Sequence, residues 1–171
     1  MTWTSPIQTG HKNSGPDRLV IAPSGRYIDL LIEMLSVMEG PFGLLYVLVV
    51  PRGEKTAGRY QSPEPLSLNE VRTFLERYRD FFDGDGRHTL WVASTCSSSM
   101  LIYDRHNVIY AYGELENVKP ILSQRSIPEV SSIKFPIPHC HRYHARYDSE
   151  EPEILNSCNW RFSSLRDSDE D

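Results

Sequence analysis

Residues 44–50 read Leu-Leu-Tyr-Val-Leu-Val-Val, seven apolar positions in succession with no polar alternation. Successive side chains of a strand point to opposite faces, so such a run describes a strand buried on both sides. Gly40, Pro41 and Gly43 precede it and Pro51-Arg52-Gly53 follows it, which makes the run too short and too firmly punctuated for a helix. A strand of this kind needs paired neighbours and layers packed above and below. The flanking segments are therefore read for what they can supply.

Arg18–Ala22 predicts a short strand closed by Pro23. Ser24 is placed to cap a following helix in which Tyr27, Ile28, Leu31, Met34, Leu35 and Met38 recur at helical spacing, and Gly40 is placed to end it. Residues 52–65 read as a loop. Ser67 and Glu70 then have capping-box spacing, with Leu66 and Val71 at the positions of a hydrophobic staple. The helix they open carries Leu68, Val71, Phe74, Leu75, Tyr78, Phe81 and Phe82 as one apolar stripe that Gly84 terminates.

Three short strands at 88–94, 99–103 and 108–112 are joined by tight turns, the second of which ends on Asn107, a residue tolerant of positive φ. They predict an antiparallel meander. Short helices are expected at 114–122 and 150–156. Between them, 132–144 alternates as an edge strand, because Pro136 and Pro138 remove donors from a single edge. Trp160, Phe162 and Leu165 are expected to fold back onto the body, and the aromatics Tyr103, Tyr110 and Tyr112 to lie in the core. The expected fold class is α+β, a largely antiparallel sheet with packed helices in the order β-α-β-α-β-β-β-α-β. It forms one domain over 17–165, with a flexible segment 1–16 before it and an acidic tail 166–171 after it.

Charge is unevenly placed. The chain of 171 residues has a net charge of −5, while residues 148–171 hold eight acidic residues against Arg161 and Arg166. The remainder is close to neutral and offers no electrostatic footprint for nucleic acid. No apolar run approaches a membrane span, and Met1–Gly15 lacks the apolar stretch of a secretory signal. Three widely spaced cysteines, Cys96, Cys140 and Cys158, argue against a disulfide framework and for a reducing, cytoplasmic setting.

The segment Pro-His-Cys-His-Arg-Tyr-His at 138–144 concentrates the metal-ligating chemistry. On a strand, His139 and His141 project from one face roughly 7 Å apart, a separation that lets two imidazoles converge on zinc. His144, Asp104, His106 and Cys158 are possible third ligands, although a regular strand turns His144 to the other face. No spacing fixes the third ligand, and the competing reading is a half-exposed sheet edge facing acidic residues. Cys96 with His106 as a nucleophile–base pair is disfavoured, because a strand separates their turns by roughly 15 Å. Arg52, Lys55 and Arg59 follow the long apolar strand, where ligands of open sheets often lie, and join Tyr143 as candidate binding residues. No complete catalytic set emerges. The chain is thus expected to be a small cytosolic interaction module that binds or inhibits another protein without catalysis. The alternative is a metal-dependent enzyme or small-ligand binder built on His139 and His141.

Overall fold

The computed structural model describes residues 2–4, 17–131, 133 and 143–170. In chain order the elements are β1 (Thr2–Thr4), β2 (Arg18–Ala22), α1 (Tyr27–Leu35), β3 (Phe42–Leu48), β4 (Gly58–Gln61), α2 (Leu68–Arg77), α3 (Arg79–Gly84), β5 (His88–Ser94), β6 (Met100–Tyr103), β7 (Ile109–Tyr112), α4 (Leu115–Gln124), a 3-10 turn (Ala145–Tyr147), α5 (Glu150–Asn156), β8 (Arg161–Ser163) and α6 (Asp167–Glu170). The eight strands form one antiparallel sheet in the order β1-β2-β7-β6-β5-β3-β4-β8. This is the α+β class expected. The meander β5-β6-β7 forms as its short turns dictate, with Asn107 at φ 62° closing the second turn.

The register explains the layering. Leu19 lies opposite Ala111, Ala111 opposite Leu101, Leu101 opposite Val92, and Val92 opposite Leu44, so one continuous apolar row crosses five strands. That face forms a single core with Ile28, Leu31, Met34, Val71, Leu75, Phe82, Val118 and Ile154 from the helices. Val47 and Ile102, which the pleat turns to the opposite face, are buried but lie outside that core. The long apolar strand is therefore not enclosed between two helical layers, because α1 to α5 add their buried residues to one face only. Leu45 on the other face is half-buried.

Several boundaries differ from expectation. The apolar strand runs Phe42–Leu48, with Gly43 inside it, and beyond it Val49 and Val50 both donate to the Arg87 carbonyl. Ser24 does not cap α1. Arg26 occupies that position at φ 56°, and the Ile28 N–H is met by the Asp83 carboxylate of α3 at 3.0 Å, a cap supplied from 55 residues away. Gly40 takes no left-handed cap, since α1 ends at Ser36. The expected long helix is broken at Tyr78 into α2 and α3. β4 falls within the expected loop, where Tyr60 pairs with Tyr46 and a single aromatic residue gave no alternation to read. β8 then adds to β4, with Phe162 opposite Tyr60. The expected strand at 132–144 lies almost wholly outside the described residues. Among those residues no helix is long and apolar enough to cross a membrane.

Candidate functional site

With α1 to α5 on one side, the other face of the sheet carries, among the described residues, its own side chains and α6. Val20, Tyr110, Ile102, Trp91 and Leu45 lie directly opposite one another across β2, β7, β6, β5 and β3, an apolar row perpendicular to the strands. Two arginines stand over it. The Arg18 guanidinium sits 5.1 Å from the Tyr110 ring centroid and donates to the Tyr112 hydroxyl at 3.2 Å. The Arg59 guanidinium sits 5.4 Å from the Trp91 ring. Guanidinium groups stack on aromatic faces because their weak hydration leaves the ring quadrupole free to attract them.

These groups surround a recess of about 220 Å³ lined by Arg18, Trp91, Ile102, Tyr110, His106 and Asp169. One rim is the β6–β7 turn. Asp104 accepts the backbone N–H groups of His106 and Val108, each at 2.9 Å, and its other oxygen lies 3.2 Å from His106 Nδ1. Burial, with Asp104 nearby, pushes the Tyr110 phenol up, so it remains a neutral hydrogen-bonding group. The opposite rim is α6, whose Asp169 accepts from Arg59 at 2.5 Å. Both side chains of this ion pair are almost removed from solvent, at 9% and 2% exposure for Arg59 and Asp169. The Trp91 indole N–H is buried and has no acceptor among the described residues.

A second charged cluster lies at the start of β5 and holds residues 144–151 to the body. The Arg87 guanidinium bonds Asp85 through Nε at 2.8 Å and through a terminal nitrogen at 3.0 Å, and it reaches Glu151 and Asp148, each at 3.1 Å, and the His144 carbonyl at 3.3 Å. Burial pulls its pKa down, but the hydrogen bonds it donates to Asp85 and Glu151 outweigh this and keep it charged. Next to it, His88 is enclosed by Phe81, Phe82 and Tyr46 at centroid distances of 4.8, 4.9 and 5.9 Å. Desolvation lowers its pKa to about 3, holding it neutral.

The four candidate binding residues do not converge. Arg59 belongs to the uncovered sheet face. Arg52 instead bonds Asp148 at 2.8 Å and donates its backbone N–H to Glu151 at 3.3 Å, which makes it part of the Arg87 cluster. Its guanidinium holds the Asp148 carboxyl below the usual range. Lys55 is half-buried in the loop between β3 and β4, and Tyr143 is half-buried beside His144. Of the three metal candidates, His139 and His141 lie outside the described residues. His144 donates its backbone N–H to Asp85 at 2.8 Å and sets its ring edge-on to Tyr147 at 6.1 Å. Among the described residues no group of three or more histidines, cysteines or carboxylates could hold a metal ion. Cys96 and Cys158 are exposed free thiols.

Of the three tyrosines expected in the core, one lies there. Tyr103 enters the core, whereas Tyr110 and Tyr112 share the uncovered face. Trp91 and Ile102 were missed because each stands between two core residues in a strand apolar on both faces, and alternation cannot say which face a helix will cover. Comparisons with protein-family models, with curated proteins and with solved structures found no match.

Proposed function

We propose that this chain is a protein-interaction module that presents the sheet face opposite α1 to α5 to a partner protein and carries no chemistry of its own. The observation behind this reading is the row Tyr110–Ile102–Trp91 with Arg18 and Arg59 stacked on its rings. Tryptophan, tyrosine and arginine are the residue types that concentrate binding energy at interfaces, the aromatics because they bury large area with few rotatable bonds and arginine because its planar guanidinium both stacks and donates hydrogen bonds. Antiparallel sheets normally expose a polar second face, and an aromatic one implies a covering surface. The exposed thiols of Cys96 and Cys158 fit a reducing compartment, so we assign the module to the cytoplasm.

The test places a photoreactive amino acid at Tyr110 and, as a control, at Val37 on the helical side, in cells that produce the protein. The expected result is a discrete adduct from Tyr110 alone. The captured polypeptide, once identified and purified, should bind the wild-type chain and fail to bind Ile102→Glu. Equal capture from both positions, or undiminished binding to Ile102→Glu, would refute the sheet face as the interface.

A further inference from the structure

Taking the uncovered sheet face as an interaction surface, we infer that Arg59 and Trp91 form a receptor for the carboxylate of an acidic peptide segment in a partner protein, and that Asp169 is the chain's own occupant, which the partner displaces. Arg59 is the pivot. Its guanidinium is oriented by stacking on Trp91 and is almost wholly desolvated, yet it carries a full charge against an apolar wall made by Val47 and Trp91. A cation in that position requires an anion, because a buried charge left unpaired is strongly destabilising.

Asp169 meets that requirement from a weakly held element. α6 is the four-residue run Asp-Ser-Asp-Glu and contains no apolar residue to bury. Arg166, Asp167 and Ser168 are exposed, and among the described residues the other hydrogen bond to the Asp169 carboxylate comes from the Arg166 backbone N–H at 2.8 Å, a contact within the same segment. The Arg59–Asp169 pair ties α6 to the body. The recess beside that pair supplies what a longer ligand would use. The buried Trp91 indole N–H awaits an acceptor, and Arg18 offers a second cation across the apolar floor of Ile102 and Tyr110. A partner segment with one carboxylate on Arg59, an apolar residue over Ile102 and a second acidic residue toward Arg18 replaces the Arg59 contact that Asp169 makes and adds others. Exchange of one carboxylate for another leaves Arg59 paired throughout, so release of the tail exposes no bare charge.

The experiment uses the full-length chain and a fluorescein-labelled octapeptide of residues 164–171, Ser-Leu-Arg-Asp-Ser-Asp-Glu-Asp, followed by fluorescence anisotropy. Asp169→Asn should bind the peptide about tenfold more tightly than the wild type, whose own tail competes. Arg59→Gln added to Asp169→Asn should abolish the gain, and so should a peptide carrying Asn in place of its Asp169. Asp169→Glu, which keeps the occupying charge, should bind no better than the wild type. Equal affinity of wild type and Asp169→Asn, a gain that survives Arg59→Gln, or a gain shared by Asp169→Glu would each overturn the inference. Should the peptide experiment fail while the Tyr110 adduct persists, the carboxylate receptor is wrong and the interaction face stands. Loss of the Tyr110 adduct removes the face itself.

Discussion

Arg87 and Asp85, two residues apart, form a two-pronged ion pair in which neither side chain is exposed to solvent. The same guanidinium gathers Glu151 from α5 and Asp148 from the turn before it, so one cation at the start of β5 fixes a segment 61–64 residues downstream. Replacing Arg87 with Met keeps much of the stem but strands Asp85 and Glu151 as buried carboxylates without a counter-charge. The expected loss is about 3–5 kcal/mol of folding stability, measured by urea denaturation. A loss under about 1 kcal/mol would mean that the cluster is hydrated rather than dry.

His88 sets a pH dependence of definite sign. Its folded pKa of about 3 lies below the ordinary histidine value, so between roughly pH 6.5 and 3 the unfolded chain binds a proton that the folded chain does not. Stability from this group is complete above pH 6.5 and declines as pH falls, by up to about 1.4 kcal/mol per pH unit. In the window from pH 6.5 to 5, above most carboxylate titrations, His88→Phe should flatten the slope of unfolding free energy against pH. An unchanged slope would assign the dependence to other groups.

The capping box at the start of α2 is present in full. Ser67 Oγ accepts the Glu70 backbone N–H at 3.3 Å, and the Glu70 carboxylate accepts the Ser67 N–H at 2.8 Å. Ser67→Ala should lower stability by about 1 kcal/mol, read from thermal melts, and should leave peptide binding at the sheet face unaltered. No shift in the melt would show that the helix end is held by the Phe42–Leu66 bridge instead.

Gly58 is needed for a close approach. A Cβ there would run into the Phe162 ring and stand 2.9 Å from the Ser163 carbonyl, whereas one at Gly53 would meet nothing within 4 Å. Gly58→Ala should therefore push β8 off β4, costing about 1–3 kcal/mol and speeding amide exchange at Arg161–Ser163. Gly53→Ala should be silent. Matching behaviour of the two variants would contradict the packing.

The fold was legible where sequence pattern and burial agree. The meander, the capping box and α5 follow from local signals that tertiary packing reinforces. What stayed hidden was decided by distant partners. β4 holds one apolar residue that matters, Tyr60, and is a strand because Tyr46 stands opposite. α1 starts where Asp83 reaches it rather than at Ser24. Of the candidate site, Arg59 was legible as a binding residue, and Asp104 and His106 only as possible metal ligands, since the face shared by Trp91, Ile102 and Tyr110 exists only once the strands are ordered. Neighbours in that order are β2 with β7 and β5 with β3, pairings that no local spacing announces.

The strand order also bears on how the chain acquires its shape at the ribosome. Arg18 of β2 finds its partner Tyr112 only 94 residues later, after α1, β3 and the helices α2 and α3 have been made. The facing edges of β2 and β3 must wait until much of the chain is made, because the ladder between them, β7-β6-β5, is produced after both. Closing so long a loop is slow, and apolar surface left open meanwhile invites aggregation. Leu19 and Ile21, buried at completion, are during that interval the residues most in need of a chaperone's cover.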